Sequence, residues 1–192
     1  MAKNGDTFYD YFRFDDEKVI DIMKGWDGLG GYHGLLVRTM SVLRAYKTVL
    51  DVGCGLGHLY EMCKTFSEPP ITEYVGVDVD DRVLKVVRER YPHLTFLNRS
   101  VYDLSDLGIF DTVFAIGLYR YAPSNQDSVL EMLRHARYCF NTCYYVEPSE
   151  RGKVLDVFKV PGWEIEFIVH GIDDKLEIIR MWNVTNLGVD MR

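Results

Sequence analysis

The hydrophobic pattern changes period several times along the chain, and each change marks an element. Val49–Val52 is a short, mainly apolar run that stops at glycines. Tyr74–Val79 (YVGVDV) is a second such run, reached through the turn-like Ser67–Thr72 with its paired prolines. Runs of this length and character fit strands buried on both faces. Between them His58–Phe66 reads as a helix. Beyond them Asp81–Tyr91 carries Val83, Leu84, Val86 and Val87 at helical spacing and stops before Pro92, which cannot continue a helix. The alternation goes on with Leu94–Leu97 and Thr112–Ile116 as strands, Ser124–Cys139 as an amphipathic helix and Cys143–Val146 as a strand ending at Glu147-Pro148.

Strands alternating with helices predict a parallel sheet covered on both faces. The end of the chain differs: Trp163–Val169 and Lys175–Trp182 are both extended in character and are joined through the turn-like His170–Asp174. The expected fold is therefore α/β, a doubly wound, mostly parallel seven-stranded sheet with helices on both faces and a C-terminal antiparallel hairpin. Residues 1–46, with Phe8, Tyr9, Tyr11, Phe12 and Phe14 followed by glycines around Trp26 and Tyr32, read as a helical and loop-rich cap on a core of residues 47–192. Cap and core are expected to form a single domain over residues 1–192. Internal repeats and low-complexity tracts are absent.

Composition narrows the function classes. At 192 residues the chain can support one self-sufficient core. Its formal charge of −7 provides no overall basic field to draw it onto nucleic acid or an anionic membrane. The four cysteines, Cys54, Cys63, Cys139 and Cys143, form no C-x-x-C pair, and no histidine stands at zinc-ligand spacing from them. Free thiols in a reducing compartment are expected, and no metal site. Met1–Asp10 lacks a charged-then-apolar leader and no stretch has the length of a membrane span, so the expectation is a cytoplasmic protein.

The chemistry is concentrated in the turn after the first strand. Gly53, Gly55 and Gly57 allow a sharp bend and close approach of a ligand at the carboxyl edge of the sheet. The spacing is not that of a dinucleotide fingerprint: counting from Gly53 the sixth position is His58, and counting from Gly55 it is Tyr60. Nor is it a phosphate loop, because Lys64-Thr65 lies too far along the chain. A nucleoside without phosphates fits better.

The stretch Val49-Leu50-Asp51-Val52-Gly53-Cys54-Gly55-Leu56-Gly57 resembles the first motif of class I S-adenosylmethionine-dependent methyltransferases, D/E-x-G-x-G-x-G, and Val75-Gly76-Val77-Asp78 is similar to that family's acidic second-strand end. The resemblance runs over roughly residues 47–183. It implies S-adenosyl-L-methionine as cofactor, with S-adenosyl-L-homocysteine as product. It also implies that Asp51, Gly53, Cys54, Gly55 and Gly57 form the cofactor turn, that Asp78 receives the ribose hydroxyls, and that Val79 lies beside it. Asn98–Leu104 matches the stretch that holds adenine, through Ser100 and the backbone amide of Val101, with Asp103 an alternative acidic contact. The fourth strand, Phe110–Leu118, resembles the substrate-facing strand, with Gly117, Leu118 and Tyr119 beside the methionine part.

Methyl transfer from a sulfonium needs chiefly positioning and exclusion of water. Where the acceptor must lose a proton, His33 in the cap and Tyr119 or Tyr121 after the fourth strand are the candidate bases. Lone histidines and cleft tyrosines also serve simply as packing. Tyr9, Tyr11, Arg13 and Arg38 are candidates for the cofactor carboxylate, or else solvated surface groups. Relatives that methylate bases or glutamine carry Asn or Asp followed by Pro-Pro-Tyr where this chain has Gly117-Leu118-Tyr119-Arg120. A small-molecule acceptor, methylated on O or N, is therefore expected. The alternatives are an RNA or protein acceptor, using Arg82, Lys85, Arg88, Arg90 and Arg99 as a basic face, and a non-catalytic cofactor-binding or partner-binding subunit.

Overall fold

The computed structural model describes residue 17 and residues 47–66, 70–116, 118, 126–145, 151–170 and 176–185. Over them the element order is β1 (Thr48–Val52), α1 (His58–Phe66), β2 (Glu73–Asp78), α2 (Asp81–Arg90), β3 (Thr95–Asn98), β4 (Phe110–Ile116), α3 (Gln126–Arg134), β5 (Ala136–Tyr145), α4 (Arg151–Val157), β6 (Trp163–His170) and β7 (Leu176–Asn183). Apart from residue 17, the expected cap falls outside the described residues, as does the turn between β6 and β7.

All seven strands form one sheet in the order β3-β2-β1-β4-β5-β7-β6. β1 to β5 run parallel, and β7 lies antiparallel between β5 and β6. The expected α/β architecture and its closing antiparallel hairpin are both present. The order reverses between β1 and β4, so the carboxyl end of β1 faces the crevice where such sheets bind ligands.

The central strands are apolar because both of their faces are covered. Leu50, Val52, Val75, Val77, Val113 and Ala115 face one buried cluster, completed by Val129, Met132 and Phe140. Val49, Tyr74, Phe114 and Ile116 face the other, beneath Leu59, Met62 and Cys63 of α1 and Leu84 and Val87 of α2. Asp80 caps α2: it is buried, accepts the Arg82 amide at 3.1 Å and pairs with the Arg82 guanidinium at 2.7 Å. Arg88 and Arg90 in the last turn suit the negative end of the helix dipole.

One boundary differs from the expectation. The helix expected over Ser124–Cys139 ends at Arg134, and the strand expected over Cys143–Val146 already begins at Ala136. His135 closes the helix by donating its backbone N–H to the Met132 carbonyl, and its own carbonyl accepts the Phe110 amide at 2.8 Å, which starts the pairing with β4. The register then slips, because Phe110 and Thr112 face Ala136 and Cys139, three residues of β5 against two of β4. This bulge buries Ala136, Cys139 and Phe140 and leaves Arg137 exposed, a spacing that imitates a helical stripe. α4 carried no comparable signal in the sequence.

Gly57, just before α1, packs against the C-terminal end of α2. Its φ is +77°, and a β-carbon there would stand 2.8 Å from Tyr91 Cε2 and 3.0 Å from Val87 Cγ2. Gly57→Ala combines backbone strain with a clash against a packed ring, and we expect it to lower stability by roughly 1–3 kcal/mol. Chemical denaturation checks this; unchanged stability would show that the two helices do not depend on this contact.

Candidate functional site

The turn after β1 is built from three glycines with positive φ: Gly53 at +79°, Gly55 at +52° and Gly57 at +77°. L-residues with side chains resist this region, which explains the residue type at each position. The turn's amides point inward. Gly53 and Cys54 both donate to the Val77 carbonyl, at 2.8 and 3.0 Å, and Gly57 donates to the Cys54 carbonyl at 3.0 Å. Gly55 donates to Asp78 Oδ2 at 3.0 Å. Donors that would make an anion cradle are therefore already committed to β2 and to the turn itself.

Asp78 closes β2 and is half-buried. Its Oδ2 holds Gly55, and its Oδ1 accepts the Asp80 amide at 2.9 Å. Burial raises its pKa above the usual carboxylate range, opposed by these backbone donors. A carboxylate offers about four acceptor positions, so two N–H bonds leave capacity for a pair of hydroxyl donors.

Asp51, on β1, is buried outright. The equally buried Tyr74 hydroxyl donates to its Oδ2 at 2.5 Å. Burial pushes Asp51 up to about 7, the Tyr74 bond pulls the other way, and the charge of Asp78 adds to the rise. Cys54, in the same turn, is buried, and burial together with both aspartates holds its thiol well above the ordinary range, so it is an unreactive packing group. The floor of the site is thus two desolvated carboxyls under a glycine turn. That arrangement favours cationic and hydroxyl-rich ligands and repels phosphate.

The far wall comes from the end of β3. The Asp78 carbonyl accepts the Arg99 amide at 3.0 Å, and Asn98 Nδ2 donates to the Val79 carbonyl at 3.0 Å. Val79 itself is exposed. Ser100 is half-buried and starts a turn in which the Asp103 amide bonds its carbonyl at 2.9 Å. Val101 inserts its side chain into the core, Asp103 is exposed, and an Arg99–Asp106 ion pair spans the loop. On the other side Leu118 lies against Gly53, where a β-carbon would stand 3.4 Å from Leu118 Cδ1.

The structure thus brings Asp51, Gly53, Cys54, Gly55 and Gly57 to the same sheet edge as Asp78 and Val79, with Ser100 and Val101 following β3. His33, Gly117, Tyr119 and Tyr121 lie outside the described residues, as do Tyr9, Tyr11, Arg13 and Arg38. Tyr74 was not anticipated: its pairing with Asp51 crosses from β2 to β1, and no local spacing announces it. Among the described residues no group of three or more His, Cys, Asp or Glu side chains is placed to hold a metal ion. Nor is any described helix long and apolar enough to cross a membrane.

Residues 50–138 match the family model described as a methyltransferase domain. The fold is similar to that of magnesium protoporphyrin IX methyltransferase from Synechocystis with bound S-adenosylhomocysteine, at a TM-score of 0.67 and 13% identity over 91% of this chain and 97% of that one. It is also similar to the N-methyltransferase NodS from Bradyrhizobium japonicum, at 0.62 and 14% over 79% and 85%. A putative RNA methyltransferase from Pyrococcus horikoshii matches at 0.61 and 14% over 79% and 82%.

The buried Asp51 ties stability to pH. Its folded pKa lies above its unfolded value, so the stability it lends is fully present below about pH 4 and is lost as pH climbs through 7. In the ligand-free protein, Asp51→Asn should flatten the fall in stability between about pH 5 and 8. At about pH 8 it should leave the variant the more stable by roughly 1–4 kcal/mol. Thermal unfolding across that range measures it, and parallel curves for the two proteins would contradict the assigned environment.

Proposed function

We propose, from the premise that this chain carries a methyltransferase domain in a class I fold and uses S-adenosylmethionine, that it transfers the methyl group to an oxygen or nitrogen of a small molecule. The observation that carries the cofactor reading is the spent turn. With the amides of Gly53, Cys54, Gly55 and Gly57 bonded internally and two carboxyls beneath them, the edge suits a nucleoside that has no phosphate and carries positive charge.

In this reading Asp78 accepts the two ribose hydroxyls while its backbone donors keep it in place. Gly53 and Gly55 let the main chain approach the ligand, and Asp51 lies beneath its cationic methionine end. Val79 covers one side of the adenine, with Ser100 and Val101 on the other. Gly117 and Leu118 border the methionine portion. The bound cofactor supplies an electrophilic methyl carbon on a sulfonium, so the protein's own task is alignment of the acceptor and exclusion of water. His33 or Tyr119 takes the acceptor proton where one must leave. Cap and core act as one domain in a cytoplasmic enzyme.

The small-molecule acceptor rests on two features. The base-methylating tetrapeptide is missing at 117–120. The basic face is also partly neutralised: Arg82 pairs with Asp80, Arg88 with Asp81 at 3.5 Å and Arg99 with Asp106. Cations held this way contribute little to phosphate binding. The acceptors named for the structural likenesses, a porphyrin and RNA, span both classes.

Calorimetric titration with S-adenosylmethionine and S-adenosylhomocysteine tests the cofactor reading, and no heat with either at about millimolar concentration would defeat it. Asp78→Ala removes hydrogen bonds from a charged acceptor and should weaken binding by about 10- to 100-fold. A methyl-label transfer screen over metabolites, RNA and proteins, read by recovery of the labelled product, then assigns the acceptor. Labelled metabolite is expected, and label found only in RNA or protein would overturn the small-molecule assignment.

A further inference from the structure

Tyr74 is an unusual neighbour for the glycine turn. It sits in the middle of the buried face between the sheet and helices α1 and α2, where the surrounding residues are apolar. Its ring meets Tyr60 edge-on at 5.2 Å between centres and Phe96 at 6.2 Å. Tyr60 in turn packs edge-on against Tyr91 at 5.2 Å and hydrogen-bonds His93 at 3.2 Å. The ring of Tyr74 is therefore fixed from behind by a cluster reaching from α1 to the end of α2 and to β3. The polar product of this packing is one hydroxyl, delivered 2.5 Å from Asp51 Oδ2.

We propose that Tyr74 is a positioning residue for the cofactor: its hydroxyl engages one carboxylate oxygen of Asp51 and holds the other for the cationic methionine end of S-adenosylmethionine. This rests on the cofactor reading above. A tyrosine hydroxyl donates best to the charged carboxylate, so it favours the anion that burial and Asp78 oppose. The groups that bear on Asp51 and Tyr74 are known on each side. β2 contributes Asp78, the turn contributes Cys54 and α1 contributes Cys63. β4 places the apolar Phe114 opposite Asp51 in register. Among these Tyr74 is the one that supports the charged form, so the protonation of Asp51, and with it the grip on a cation, depends on this hydroxyl.

The consequence is a cofactor affinity that rises with pH across neutrality. It also predicts that removing the hydroxyl moves that rise upward without abolishing it. S-adenosylhomocysteine keeps the ammonium and needs no turnover, so it is the probe. In wild type its affinity should increase from about pH 6 to about pH 8.5, and Asp51→Asn should remove the increase. Tyr74→Phe keeps the ring and the packing. If the Asp51 midpoint moves up by about one unit, the charged fraction at pH 7, and with it the affinity, falls about fivefold, and the deficit shrinks to less than about twofold by about pH 8.5, before the ligand's own ammonium loses its proton.

A thermal melt confirms that the variant is folded, and a carbon-detected titration of the Asp51 carboxyl reads the midpoint without ligand. Identical pH profiles for wild type and Tyr74→Phe would overturn the proposal. If Tyr74→Phe does not fold, a wild-type affinity flat between pH 6 and 8.5 overturns it by itself. Failure of wild type to bind S-adenosylhomocysteine at any pH would be a different result, since it removes the cofactor reading itself.

Discussion

Two carboxyls at one sheet edge, Asp51 buried and Asp78 half-buried, set the terms for the rest of this structure. Asp51 lies one residue before the end of β1 and Asp78 ends the adjacent parallel β2, and desolvation acts against the charge of each. Both are tolerated because donors are brought to them: Gly55 and Asp80 amides to Asp78, and the Tyr74 hydroxyl to Asp51. The Gly55 bond is possible only because the turn bends back toward β2, and the bend is possible only with positive φ at its glycines. Sequence, turn geometry and electrostatics are one constraint here, in which removing any part leaves a buried group without its partner.

This constraint also explains what the edge selects. Glycine-rich turns after a first strand commonly present free amides to a phosphate. Here the same amides close the turn onto the Val77 carbonyl and Asp78, so the field left at the surface is negative. A positively charged nucleoside complements that field, while a nucleotide opposes it. The topology contributes by reversing strand order beside β1, which opens the crevice at this point. The packing of Gly57 against Tyr91 then keeps α1 and α2 in contact behind it.

Much of this was legible in the sequence, because the central parallel strands are short and apolar and the glycines stand at a diagnostic spacing. The pairs Asp51–Gly57 and Asp78 could be placed at a common edge from order alone. The α3–β5 boundary was not legible, since a bulge in β5 buries Ala136, Cys139 and Phe140 with a helix-like spacing. Two aspartates stand side by side at the start of α2, and sequence does not distinguish them, yet Asp80 is buried as the cap while Asp81 is exposed. The Tyr74–Asp51 bond was out of reach for a different reason. It joins two strands through a contact 23 residues apart in sequence, and a tyrosine in an apolar strand reads as core until its hydroxyl is located.

The central claim is that ligand recognition occurs at this edge, through the glycine turn and its two carboxyls. The most direct measurement is an amide correlation spectrum of the isotopically labelled protein with and without S-adenosylhomocysteine. The largest shifts are expected on the amides of Gly53, Gly55, Val79 and Val101, with the amides of β6 and β7 staying in place. Saturable binding with shifts elsewhere, and none at the turn, would contradict it.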